Sequence, residues 1–264
     1  MKKLTVFCAA ACLAASAAAQ NHPDLHEVLD RQKGRNLIEI PKGTYTLDVR
    51  SNGPYKFHNL TDVHINGNGS TVICNNQEQA FSFYNCVRVE LRDLTIDYDP
   101  LCFTQGEITA VAEDGSWFDV RIDEGYPVTG LAANRVQFYD PQTRLLKRNS
   151  ITTYTSNYSA LKQLGHNLFR AVKNGTWSAG EQVGDLVVMD VKTDKPNAGV
   201  HTVMLNKCYN TKLENVTVYG SNTFSFFEKE GYANEYRNCV VDRGPMPQGI
   251  RPRLRSGNAD GIHS

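Results

Sequence analysis

The sequence has no charge excess: 28 Lys and Arg stand against 28 Asp and Glu over 264 residues. That balance removes the long-range attraction by which basic proteins gather on nucleic acid or anionic membranes. It also lacks an apolar run of about 18 residues, the length that crosses a bilayer. The longest run, from Leu4 to about Ala15, falls short of it. Cysteine is scarce past the N-terminus, where only Cys74, Cys86, Cys102, Cys208 and Cys239 follow Cys8 and Cys12. Five scattered cysteines form neither an even-numbered disulfide framework nor a zinc-ligand spacing, and they read as small buried hydrophobes. No residue set calls for a cofactor or a metal. Between the motifs described below, no apolar period of 3.6 runs long enough for a crossover helix.

What is present begins with a leader. Lys2 and Lys3, the apolar run and Ala17-Ala18-Ala19 make up a secretory signal peptide over residues 1–19. The mature chain is therefore expected to begin near Gln20 and to be secreted or periplasmic. "HPDLHEVLDRQ" follows, with Pro23 at an expected first helical position, Asp24 and Glu27 in the first turn, and Leu25, Val28 and Leu29 on one face. It predicts a short capping helix.

The chain then repeats itself. "FHNLTDVHINGNGSTVI" from Phe57, "FYNCVRVELRDLTIDYD" from Phe83 and "LNKCYNTKLENVTVYGS" from Leu205 align in register, and "NEYRNCVVDR" from Asn234 repeats "LENVTVYG" from Leu213. Val63-His64-Ile65, Val89-Glu90-Leu91 and Thr211-Lys212-Leu213 occupy the same place. Periods of 20–50 residues indicate stacked units, and short alternating runs of branched residues indicate strands. Each unit buries its apolar face only by stacking on the next. The fold class is all-β, a right-handed parallel β-helix, with Asn59, Asn85 and Lys207 at equivalent corners. From 105 to 199 the rhythm stops. "GEITAVAEDGSWFDVRI", "RVQFYDP", "HNLFRAV" and "DLVVMDV" predict strands of another spacing and an inserted β-rich domain, a small barrel. The expected organisation is signal peptide 1–19, coils 20–104, insert 105–199 and coils resumed over 200–264.

The helix followed by "IEIPKGTYTL", with its turn at Pro41-Lys42-Gly43, resembles the opening of the pectate-lyase-like superfamily of right-handed β-helices. "NADGIH" at 258–263 resembles the "NTDGID" signature of polygalacturonases, which are inverting glycoside hydrolases on this fold. Asn258 and Asp260 match its Asn and catalytic Asp, while His263 replaces its final Asp. The insert and "LTIDYDP" resemble glycoside hydrolase family 110. The Asp-Asp pair, Gly-His-Gly and Arg-x-Lys that continue the polygalacturonase signature do not follow, and the chain is expected to be the N-terminal part of a longer protein. The resemblance implies a secreted carbohydrate-active protein cleaving a polysaccharide or glycan.

Glycoside hydrolysis needs two carboxyl groups, about 6.5–9.5 Å apart for inversion and about 5–5.5 Å for retention. Coils stack about 4.8 Å apart, as strands do in any sheet. Candidate catalytic residues are Asp260 and, as its partner, either Asp242 on the preceding coil or a carboxylate that this chain lacks. Candidate substrate-binding residues are Asn258, His263, Arg251, Arg253, Arg255, Glu228 and Glu230. Structural readings stand beside these. Asp260 makes a corner with Gly261, the arginines pair with Glu228, Glu230 and Asp242 on the surface, and Asp97 and Asp99 are corner residues. A polysaccharide lyase and a non-catalytic adhesion β-helix remain alternatives, and neither nucleic acid nor a membrane span is expected.

Overall fold

The structure, a computed structural model, describes residues 22–191, 201–221, 223–256 and 261–264. The leader, Asn258 and Asp260 lie outside the described residues. A helix at Leu25–Asp30 opens the fold. Asp24, not Pro23, caps it: the Asp24 side chain accepts from the His26 N–H, and Pro23 sits one residue earlier, its carbonyl accepting from Thr46 N at 3.0 Å. Leu25 and Leu29 are fully buried on its inner face, covering the first coil.

The repeats form a parallel β-helix. A five-stranded parallel sheet contains Tyr55–His58, Phe81–Tyr84, Val203–Asn206, Phe226–Lys229 and Ile262–His263. A seven-stranded parallel sheet contains Leu37–Glu39, Thr44–Leu47, Thr61–Cys74, Val87–Tyr98, Lys212–Tyr219, Glu235–Arg237 and Val240–Asp242. Its long strands bend midway, at Asn68, Asp93 and Asn215, so each coil has three legs. Gly67 serves the bend by close approach, since a Cβ there would lie 2.4 Å from the Asp93 carbonyl oxygen.

Period two sorts the side chains. In the five-stranded sheet Tyr55, Phe81, Val203 and Phe226 form one inward column and Phe57, Phe83 and Leu205 another, all buried. Each such side chain contributes about 1.5–3 kcal/mol by leaving water. The expected corners are present. Asn59, Asn85 and Lys207 have φ of 56°, 53° and 53°, and Glu230 continues the series at 53°. Asn85 Nδ2 donates to Asn59 Oδ1 at 2.7 Å, which satisfies two corner amides at once.

Between Tyr98 and Val203 the chain leaves the helix and returns in register, with Leu213 paired to Leu91. The excursion forms a seven-stranded antiparallel sheet. In spatial order it runs Thr153–Tyr154, Leu131–Tyr139, Leu186–Val191, Phe103–Val111, Trp117–Ile122, Leu168–Lys173 and Tyr158–Gln163. The two edge strands are joined by one turn of 3₁₀ helix at 155–157, which brings the two ends of the sheet close together. Its core is its own, with Phe118 edge-on to Phe138 and Tyr158 at 5.6 and 6.2 Å. The buried pair Lys173 and Glu181 closes one side, the ammonium also donating to the Trp177 carbonyl at 2.8 Å. The sheet starts at Phe103, two residues ahead of the expected boundary. It also contains Thr153–Tyr154 and Tyr158–Gln163, which the sequence reading did not single out.

Among the described residues no helix is long and apolar enough to cross a membrane.

Candidate functional site

Alternation sends Lys56, Ser82, Met204, Phe227 and His263 outward in one column of the five-stranded sheet. Around the last two a ring stack assembles. Phe227 lies 4.2 Å from His201 at 25°, and His263 lies 4.2 Å from Phe224 at 6°. His201 and Phe224 are 5.0 Å apart at 12°, and Phe227 and His263 are 5.7 Å apart at 18°. Four nearly parallel rings from three successive coils therefore stack into one ledge, three of them half-buried and His263 exposed. His201 Nδ1 lies 3.3 Å from the Thr223 hydroxyl. Burial, and secondarily the neighbouring His263, hold the His201 imidazole below its ordinary pKa, so the ring is neutral at pH 7. A neutral imidazole keeps both a donor and an acceptor.

Beside this ledge runs a polar column of His58, Tyr84, Asn206 and Lys229. The Lys207 ammonium stands 5.9 Å from the Tyr84 ring. Of the expected substrate-binding residues, the ledge includes only His263. His201, Phe224 and Phe227 were missed by the sequence reading. The signal for Phe227 was available, because "FFEK" aligns with "FSFY" and "VMLN" and its second residue faces outward.

The remaining candidates disperse. Glu228 occupies the inward column above Leu205, where its carboxylate accepts from Asn234 Nδ2 at 2.8 Å and the Tyr236 hydroxyl at 3.2 Å. Glu230 is a corner residue 3.7 Å from Lys207 Nζ and 3.5 Å from Lys229 Nζ. Asp242 ends the last strand of the seven-stranded sheet, above Tyr219, exposed and accepting from the Arg243 N–H at 2.7 Å. It lies on the seven-stranded sheet, not on the face that holds the ledge. A Cβ on Gly261, which precedes the His263 strand, would lie 3.6 Å from Val241.

The arginines do not pair with Glu228, Glu230 and Asp242. Residues 243–256 form a strap that laces the solenoid to the insert. Arg253 is 7% exposed and grips Asp97 with two bonds of 2.7 and 3.0 Å. Asp97 is correspondingly no corner residue but the last-but-one residue of its strand, buried. Arg251 reaches Asp123 at 3.0 Å and Glu107 at 3.5 Å, both on the insert. Arg255 is exposed, and its carbonyl accepts from the Tyr139 hydroxyl at 2.9 Å. Gln105 holds the strap from both sides, donating to the Pro252 carbonyl at 3.1 Å and accepting from Leu254 N at 2.6 Å. The Leu254 side chain is buried in the insert core.

No family model matches the chain, and no curated protein matches it.

Proposed function

We propose that this protein is an exported, glycan-active β-helix of the pectate-lyase-like kind, a glycoside hydrolase whose substrate lies along the outward face of the five-stranded sheet. The parallel β-helix is a fold that suits carbohydrate-active proteins in general, because its outward columns repeat at the spacing of an extended chain; that step is an analogy of fold. The observation that carries the reading is the four-ring ledge of His201, Phe224, Phe227 and His263. A sugar ring is apolar on its C–H faces and polar at its rim. The open edge and outermost ring of an aromatic stack take the face, and the polar groups beside it take hydroxyls. One of its rings, His263, belongs to the stretch of sequence that contains Asn258 and Asp260. In this reading Asp260 is the carboxylate that acts at the glycosidic bond and Asp242 is a candidate partner. Arg251 and Arg253 are left to architecture.

The test is a panel of neutral and acidic polysaccharides, scored for mobility shift in affinity gels, for reducing ends and for unsaturated uronate products. Retention on at least one polymer and release of reducing ends are expected. Phe227→Ala should weaken retention about tenfold, in line with a contact of roughly 1.4 kcal/mol. Asp260→Asn should lower kcat by at least 10²–10⁴ with retention kept. Retention on no polymer would overturn the glycan assignment, and unsaturated products would replace hydrolysis by elimination.

A further inference from the structure

Cys86 and Cys208 occupy one position on adjoining coils. Each follows a corner residue with φ of 53°, Asn85 in one case and Lys207 in the other. The register that pairs Tyr84 with Asn206 runs on without a slip. Asn85 N donates to the Asn206 carbonyl at 3.0 Å, Tyr209 N to the Cys86 carbonyl at 2.9 Å, and Val87 bridges Tyr209. Cys86 therefore lies directly beside Cys208. Both are fully buried in the solenoid core. Their thiols also leave the backbone alike, each 3.5 Å from the carbonyl two residues earlier, that of Tyr84 or of Asn206. The Cys86 thiol also donates to the Phe57 carbonyl at 3.2 Å. Neighbours in register across a parallel sheet stand about 4.8 Å apart, within the roughly 4.4–6.8 Å between Cα atoms that a disulfide spans.

We propose that Cys86 and Cys208 are a disulfide-forming pair that staples together the two coils between which the insert is spliced. These coils have the weakest covalent connection in the solenoid, since the chain between them detours through the whole insert. The bond would close a loop of 122 residues (208 − 86), and on the chain-entropy account long loops gain most from closure. Cys74 pairs in register with Leu47 and Tyr98, so no cysteine stands beside it on either adjoining strand. Cys86 differs: the neighbouring Cys208 thiol lowers its pKa while Cys208 is raised in turn, as two adjoining thiols do to each other.

The oxidant is a disulfide-bearing thiol compound or oxidoreductase, acting before the coils close over the sulfurs. The Cys86 thiolate attacks one of its sulfurs and expels the other as a thiolate. The Cys208 thiolate then attacks the Cys86 sulfur of the mixed disulfide and expels the second. Two protein thiols become one disulfide, and both electrons and both protons pass to the oxidant, which leaves as two thiols. Formation in the cell rests on the proposed export into an oxidising compartment. The chemistry itself does not, so it can be tested apart from that reading.

The full chain is refolded in mixed oxidised and reduced glutathione or in excess dithiothreitol, then unfolded, alkylated and mapped without reduction. The expected result is a linked peptide joining Cys86 to Cys208 in the oxidised sample, with Cys74, Cys102 and Cys239 alkylated. Its melting temperature should exceed that of the reduced sample by roughly 5–10 °C, a difference that Cys86→Ala and Cys208→Ala each remove. Alkylation of all five cysteines after oxidative refolding, or linkage of Cys86 to another cysteine, overturns the proposal. The mapping uses the unaltered chain and does not depend on either variant folding.

Discussion

The solenoid and the insert are both β-structure, yet they solve the turn problem differently. Among the described residues thirteen non-glycine residues have positive φ, and all except Arg144 are in the solenoid. The twelve in the solenoid fall in three sets, one per bend of the coil: Asn59, Asn85, Lys207 and Glu230; Asp62, Arg88, Asn210 and Ala233; Asn68, Asp93, Asn215 and Asn238. A parallel coil must turn the same way at the same place on every level, so the left-handed residue recurs whether or not its side chain favours it. The insert joins antiparallel neighbours by separate turns, and positive φ there falls mainly to Gly115, Gly125, Gly130, Gly175, Gly180 and Gly184. A repeating backbone fixes conformation by stacking, whereas a non-repeating one fixes it residue by residue.

The largest effect should come from the buried ion pair that ties the strap to the solenoid. Arg253→Ala leaves Asp97, 7% exposed, without its bidentate partner. Loss of one member of a buried pair costs about 3–5 kcal/mol. The strap at 243–256 should then exchange amide hydrogens freely, and a single melting transition should split into a solenoid step and an insert step. A single unsplit transition would mean that the regions are coupled elsewhere. Leu254→Ala probes the same seam from the apolar side. Leu254 is 1% exposed within the insert core, and truncation there should cost about 3 kcal/mol, within the usual range for buried leucine. Exchange should rise on Phe118 and Val120 while Phe83 and Leu205 stay protected.

The same contrast decides what could be read from the chain. The solenoid was legible because stacking writes columns into the sequence: Thr44, Thr71, Thr95 and Thr217 share one position on four levels. The helix was legible too, but not its cap. Pro23 and Asp24 are both good starting residues, and the choice is settled by the Pro23 carbonyl pairing with Thr46. Most insert strands were visible, yet Thr153–Tyr154 is short and belongs to the sheet only through Val136 and Arg135. The candidate site was half legible. His263 was found by motif, but its ring partners come from other coils. The arginines were misassigned because Arg253 meets Asp97 across 156 positions, and no local pattern names so distant a partner.

A smaller effect should appear with pH at the insert's inner edge. Asp190 is 9% exposed, and its Oδ1 has no hydrogen-bond partner. Burial raises its pKa to about 7, with Arg135 pulling the other way. The folded state therefore holds a proton that the unfolded state releases near pH 4. The sign follows: stability on this account is complete below about pH 4 and declines as pH rises towards 7. Asp190→Asn should match the parent at pH 4 and exceed it by about 1–3 kcal/mol at pH 8. Urea midpoints across that interval give the measurement, and parallel curves would remove Asp190 as the cause.

The smallest effect tests the corner argument itself. Ala233 is exposed and held at φ 54°, where an L side chain costs about 1–2 kcal/mol and alanine has no polar group to compensate. Asn210, its equivalent one coil earlier, at least suits the conformation. Ala233→Gly removes the Cβ conflict but adds backbone entropy to the unfolded chain, about 0.5–1 kcal/mol in the opposite direction. The net gain should be about 0.5–1 kcal/mol. In the insert the same replacement should have the opposite sign. Ala160 lies in the strand Tyr158–Gln163, which has no left-handed residue to relieve, so Ala160→Gly should lose about that amount. Chemical denaturation of the two variants yields the pair of signs. If both lose stability, the left-handed corner at Ala233 is not the strained position that the stacking rule requires.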